Sequence, residues 1–273
     1  MNPNSTNSRF RSSVSRYLAF IIILIPSFNF AQTNYDSIYL DKKWNECSEK
    51  KYKYIEIYKE TSYIVNNKNL ISFEAYDDKN VIQATGYITD SIGSKQWVGL
   101  HSFYSKSGKI EAYALYDYHS TIEFFPEMKK YSALLKECDN VYKSLFVSFL
   151  KNGHIKKIGY YSKERKKICH WIRYNPFEND IYYTTDYTDT TVITKTYRSN
   201  GVIWKEESYL NGEKHGGWTK YSRIGCLQKL ESFSNGEKHG PWRTYSKYDC
   251  HLKVEKIYEG GKLIKKTRNP FSK

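Results

Sequence analysis

The sequence is poor in methionine and in every short signature of catalysis. It holds 2 Met against 27 Tyr, 13 Phe and 6 Trp. Aromatic and β-branched residues suit pleated, half-buried surfaces, so this balance leans towards strands. There is no HExxH, no nucleophile elbow, no Ser-His-Asp constellation and no CxxC. Asn-Gly-Glu-Lys segments contain Gly and Lys but lack the strand-loop-helix setting of a phosphate cradle. These absences point away from an enzyme, and no cofactor is expected. No apolar run approaches the about 20 residues that a membrane-crossing helix needs.

Acidic residues are missing from the first 31 positions, where Arg9, Arg11 and Arg16 stand. An apolar stretch from Tyr17 to Ile25 follows, Pro26 breaks it, and Asn29-Phe30-Ala31 leads into Gln32. This is the layout of a secretory signal peptide over 1–31 with cleavage after Ala31. No Cys lies near that point to carry a lipid anchor. The expected location is therefore the periplasm, the cell envelope or the medium. The whole chain has a net charge of +14, and the part after residue 31 has +11, from 40 basic and 29 acidic residues. That excess favours acidic partners or a solvated basic surface.

Five cysteines are present: Cys47, Cys138, Cys169, Cys226 and Cys250. An odd number in an exported protein leaves at least one thiol unpaired or intermolecular.

What the chain has in abundance is self-similarity. Ser208-Tyr209-Leu210-Asn211-Gly212-Glu213-Lys214-His215-Gly216-Gly217-Trp218-Thr219-Lys220-Tyr221 recurs 24 positions later as Ser232-Phe233-Ser234-Asn235-Gly236-Glu237-Lys238-His239-Gly240-Pro241-Trp242-Arg243-Thr244-Tyr245. A weaker copy opens at Tyr258-Glu259-Gly260-Gly261-Lys262. Two strands of about eight residues and two tight turns need roughly this length. Asn211-Gly212 and Asn235-Gly236 fit type I′ hairpin turns, which need positive φ at both central residues. Gly201, Gly225 and Asp249 mark the return turns, each four residues after Tyr197, Tyr221 or Tyr245. The same spacing appears upstream at Tyr76…Asn80, Tyr104…Gly108 and Phe149…Gly153. Between turns, Ile203, Lys205, Glu207 and Tyr209, then Leu227, Lys229, Glu231 and Phe233, alternate with the period of a strand. Gly216-Gly217 and Gly240-Pro241 are expected to bend their strands.

The Asn-Gly-Glu-Lys-His-Gly-x-Trp-x-x-Tyr copies resemble MORN-variant repeats and a bacterial antitoxin family built of such repeats. Tyr39-Leu40-Asp41-Lys42-Lys43-Trp44 resembles the lead-in of exported members. The resemblance implies a single-layer antiparallel sheet with an interaction role, and supplies no catalytic residues.

The expected fold is all-β: stacked hairpins in one layer, with a lead-in over 32–69, degenerate hairpins over 70–196, clear repeats over 197–264 and a basic tail over 265–273. One helical insertion is expected over 126–138, where Pro126 opens a Gly-free segment with apolar residues at 128, 131, 134, 135 and 138. Stacking is expected to set Trp218 against Trp242 and Tyr209 against Phe233 in columns.

His215 and His239 invite a metal reading. Equivalent positions two strands apart are about 9.6 Å from one another, too far for one zinc at roughly 2.1 Å from each nitrogen, so no metal is expected. Cys226 and Cys250 share the 24-residue spacing, which argues against a bridge needing Cα atoms within about 7 Å unless the turn at Asp249 is distorted. Acidic residues alternating with Lys suit cross-strand ion pairs. The candidate binding residues are Trp204, Trp218, Trp242, Tyr221, Tyr245, Lys220 and Arg243. The expected partner is a protein or an anionic envelope component. The alternatives are an antitoxin-type inhibitor of a partner toxin and a peripheral membrane module, the latter drawing on Lys262–Arg268 at about 1 kcal/mol per basic residue. Nucleic acid could stack on the aromatics, but export weighs against it.

Overall fold

The computed structural model describes residues 37–42, 48, 53–65, 68–91, 94–139, 143–246 and 248–269. The segment 1–31 expected to be a signal peptide, with Ala31, and also Trp44 and Cys47 lie outside the described residues. Within them the chain forms one antiparallel sheet of 19 strands. They are β1 (Ser37–Leu40), β2 (Tyr54–Val65), β3 (Lys68–Asp77), β4 (Ile82–Ser91), β5 (Ser94–Tyr104), β6 (Ile110–Tyr116), β7 (Lys143–Phe149), β8 (Ile155–Ser162), β9 (Lys167–Tyr174) and β10 (Ile181–Tyr187). There follow β11 (Thr191–Tyr197), β12 (Ile203–Leu210), β13 (Glu213–Lys214), β14 (Gly216–Tyr221), β15 (Leu227–Ser234), β16 (Glu237–Lys238), β17 (Gly240–Tyr245), β18 (Leu252–Glu259) and β19 (Lys262–Arg268). Pairing follows the order of the chain from β1–β2 to β18–β19, with β13 and β14 both against β12 and β16 and β17 both against β15. The all-β hairpin stack is thus as the sequence implied. The lead-in contributes β1 and β2 to the same sheet, and Lys265–Arg268 continue the sheet in β19 instead of forming a tail.

The turns carry the expected chemistry. Asn211 and Gly212 have φ of 51° and 86°, Asn235 and Gly236 47° and 81°, and Gly260 and Gly261 50° and 76°. At the opposite strand ends, Asn80, Gly108, Gly153, Gly201 and Gly225 hold positive φ, each in a turn closed between residues i and i+4, such as Ser222 N–H to the Cys226 carbonyl at 2.8 Å. The strands also break at His215 and His239, where Gly216 and Gly240 turn to φ of +72° and +76°.

One return turn departs from this rule and corrects the cysteine argument. Ser246 donates to His251, five residues on, so this loop is one residue longer than Ser222–Cys226. The positive φ falls on Cys250 at 61°, not on Asp249. Cys250 therefore occupies the place of Gly225, not of Cys226, and the equivalence behind the expected separation fails. Cys226 and Cys250 form a disulfide with Cα atoms 5.3 Å apart. Cys138 and Cys169 form a second, at 5.8 Å.

The helical insertion starts earlier and is more broken than expected. It consists of α1 (Tyr118–Thr121), a 3-10 turn at Pro126–Met128 and α2 (Lys129–Ser132). Met128 and Cys138 are buried, but Leu134 is 45% exposed. The chain turns out of the helix there, with Leu134 and Leu135 bonding back only three residues.

The insertion lies on one sheet face, and the largest core forms beneath it. Ile122, Phe125 and Met128 pack on Leu115, Leu145, Val147, Ile158 and Ile172. Each such side chain contributes about 1.5–3 kcal/mol on burial. The opposite face is closed by aromatics lying over glycines. Trp171 covers Gly159 and donates its indole N–H to the Tyr160 carbonyl at 2.9 Å. His101 covers Gly86, stacks on Trp97 at 4.9 Å and meets Tyr116 and Phe73 edge-on. From β12 onward, among the described residues, no hydrophobic side chain is fully buried, and the buried groups are Ser222 and Ser246.

Candidate interaction face of the C-terminal repeats

The alternation of β12, β14, β15, β17 and β18 lifts one aromatic from each strand to a common face. Tyr209, Trp218, Phe233, Trp242 and Tyr258 form a single row with ring centroids 5.1, 5.6, 5.2 and 5.3 Å apart. The separate Trp–Trp and Tyr–Phe columns expected from the repeat are thereby corrected. Strands β14 and β17 lie between β12, β15 and β18, so tryptophans alternate with the other rings. Bends at Gly216 and Gly240 give the indoles room to lie edge-to-face, and each indole N–H reaches back to a serine carbonyl. Trp218 donates to Ser208 and Trp242 to Ser232, both at 2.8 Å.

Above the row sit the lysines of the Asn-Gly-Glu-Lys turns. The Lys214 ammonium is 4.3 Å from the Trp218 ring centre and 5.0 Å from Phe233. Lys238 repeats this at 4.7 Å from Trp242 and 5.2 Å from Tyr258. The rings are therefore roofed by ammonium groups, and an approaching partner meets cations first. Cation–π contacts at exposed positions contribute about 0.5–1 kcal/mol each.

A second row runs beside the first. Lys205 stands directly opposite Lys220, and Lys220 directly opposite Lys229. Like charges so placed are destabilising. Two of the three are balanced along their own strands, Lys205 by Glu207 at 2.8 Å and Lys229 by Glu231 at 2.5 Å. The ion pairs on this face are thus between residues i and i+2, while the cross-strand kind occurs as Lys195–Glu206 and Arg243–Glu255. Lys220 is exposed and has no carboxylate partner among the described residues. Its ammonium lies 5.8 Å from the Trp204 ring, as does that of Lys205. Trp204 comes to this face through the register irregularity where β11 meets β12.

The structure divides the expected site. Trp204, Trp218, Trp242 and Lys220 share the cationic face. Arg243, Tyr221 and Tyr245 fall on the other face by strand alternation, where Arg243 is held by Glu255 at 2.6 Å. The glutamate hydrogen bond raises the Arg243 pKa further above its ordinary value. Lys205, Lys214, Lys229 and Lys238 belong to the site and were missed. Lys214 and Lys238 could have been found, because each recurs two residues after the turn glycine. His215 accepts the Asn235 N–H at 3.5 Å. Among the described residues no group of three or more His, Cys, Asp or Glu is placed to hold a metal. Comparison with family models and with curated proteins found no match to this chain.

Proposed function

We propose that this chain is an exported, non-catalytic repeat scaffold whose lysine-and-tryptophan face over β12–β18 docks an acidic protein or envelope component. The observation that carries the reading is the lateral row Lys205, Lys220 and Lys229, directly opposed across three strands. Such a row costs folding free energy, and sheets tolerate local conflicts where a surface serves recognition. The roofed aromatic row beside it gives the face rigidity, as suits an extended repeat surface. The resemblance of the turn-and-tryptophan motif to MORN-variant repeats supports an interaction role. Two disulfides support an oxidising compartment.

The test is photo-crosslinking in intact cells with a photoreactive residue at position 244, exposed on this face directly opposite Lys229, on wild-type protein and on Lys205→Glu/Lys229→Glu. A defined adduct in the wild type that disappears in the double variant, with circular dichroism unchanged, is the expected result. An adduct indifferent to both reversals refutes this face. Intact mass of the cellular protein tests export separately: a form beginning at Gln32 is expected outside the cytosol.

A further inference from the structure

β19 pairs with β18 alone among the described residues. All seven of its residues are exposed, with Leu263 at 50% and Ile264 at 61%. Its backbone polarity follows from the register. The Asn269 N–H donates to the Lys253 carbonyl at 2.9 Å, while Thr267 faces Glu255 and Lys265 faces Ile257. Amides alternate along an antiparallel strand, so residues 265, 267 and 269 bond to β18. The N–H and C=O groups of Lys266 and Arg268 point away from the sheet. The side chains of these same two residues stand opposite Lys256 and Val254, on one common face.

The edge is cationic without compensation. Lys262, Lys265, Lys266 and Arg268 form no ion pair among the described residues, and Lys256 opposite Lys266 is itself a like-charge pair. At two pairs inside the sheet a cation faces an acid instead: Lys195 faces Glu206 at 3.2 Å and Arg243 faces Glu255 at 2.6 Å.

Pairing with a second copy is opposed by these charges. A two-fold axis between identical antiparallel strands sets residues of like parity opposite one another. Centred on Ile264 it opposes Lys262 and Lys266; centred on Lys265 it opposes Lys262 with Arg268 and Lys265 with itself; centred on Lys266 it opposes Lys266 with itself. Every long register thus places cation on cation, which blunts self-association. We propose that β19 accepts, by main-chain pairing, an extended acidic segment of a different polypeptide, with carboxylates at alternate positions opposite Lys266 and Arg268. Backbone bonds to those two residues supply affinity and the alternating charges supply register.

The proposal is independent of the face formed by Lys205, Lys220 and Lys229, and the test separates them. The probe is a blocked, fluorescent peptide alternating Glu and Val, titrated with the full chain and read by anisotropy. Lys266→Pro removes an outward N–H without removing a bond to β18, a place where sheets accept proline. It is expected to weaken binding at least about tenfold, which is what losing about 1.4 kcal/mol means. The same loss is expected when the probe is N-methylated at alternate amides, a change that leaves the protein untouched. Lys205→Glu/Lys229→Glu is expected to leave probe affinity within about twofold. Equal binding of a Lys/Val peptide, of the N-methylated peptide, or by Lys266→Pro overturns the proposal. So does a concentration-dependent dimer of the chain that Lys266→Pro abolishes, which assigns the edge to a second copy.

Discussion

Acidification should weaken this fold through one histidine. His101 is fully buried between Phe73, Trp97 and Tyr116, and its Nε2 donates to the Tyr87 carbonyl at 2.8 Å. Burial drives its pKa down from 6.5 to about 4, outweighing the backbone at Tyr87 and Val98, which acts in the opposite direction. Above pH 6.5 the imidazole is neutral in both folded and unfolded chains, and stability does not depend on it. Between 6.5 and about 4 the unfolded chain takes up a proton that the folded one refuses, so stability falls as pH falls. At about 1.4 kcal/mol for each pH unit in that window the loss is roughly 3 kcal/mol. Other groups titrate nearby in pH, so the measurement is a difference. Urea unfolding of wild type and His101→Gln, with disulfides intact, is followed at pH values from 7 to 4. The variant loses the titration, and the wild-type advantage is expected to shrink by roughly 3 kcal/mol across the window. A wild-type advantage that stays constant from pH 7 to 4 refutes the argument.

Gly159→Ala should cost roughly 1–3 kcal/mol by overpacking, because a Cβ there falls 2.1 Å from Trp171 Cδ2, while Gly217→Ala meets only Leu230 at 3.5 Å and should melt like the wild type. Cys226→Ser should lower stability by about 3 kcal/mol in denaturant titrations, the chain-entropy value for its 24-residue loop. Cys250→Ser should cost the same, and the double variant no more. Asn235→Val forces a β-branched residue to a φ of 47° and should cost about 1–2 kcal/mol by thermal melting, with Asn235→Gly close to neutral. If valine is harmless there, the type I′ assignment is wrong.

The all-β hairpin stack was legible because its rules are local. Asn-Gly pairs demand positive φ, and strand alternation needs only neighbours along the chain. The disulfide Cys226–Cys250 was misjudged although its cause lies in the sequence. Phe233 to Tyr258 and Asn235-Gly236 to Gly260-Gly261 are spaced by 25, not 24, so one extra residue had to fall between them, in the loop that Cys250 closes. The ring order Tyr209, Trp218, Phe233, Trp242, Tyr258 was not legible from period alone, since it depends on β14 and β17 lying between the strands of the other rings. Arg243 directly follows Trp242 within β17, so alternation puts it on the other face, which a choice of site residues by type does not show. The helical segment broke at Leu134 because the chain must return to β7 with Cys138 against Cys169, a long-range constraint that no helix period reveals. His101 carries no repeat or motif at all; it is found only once β5 is seen to bring it over Gly86.

The motif that identifies the repeats and the residues that hold the fold together occupy different parts of the chain. Among the described residues the last buried apolar side chain along the chain is Ile172, in the core beneath the helical insertion. The strongest sequence repetition begins at Ser208. Strands β12–β19 depend on backbone pairing, roofed rings and one disulfide. In a linear array each unit is supported by its neighbours alone, so these strands lean on the core through β10 and β11. Repetition there is therefore not needed to build a core; it sets identical groups at a fixed pitch on a surface. Lys214 and Lys238 over their rings, and Lys205 and Lys229 beside them, follow that pitch; Lys220 is added between them, and β19 follows one residue late. Selection for packing alone would have placed acids between those lysines, as β11 and β12 do with Lys195 and Glu206. The cations left facing solvent fit recognition of an acidic partner.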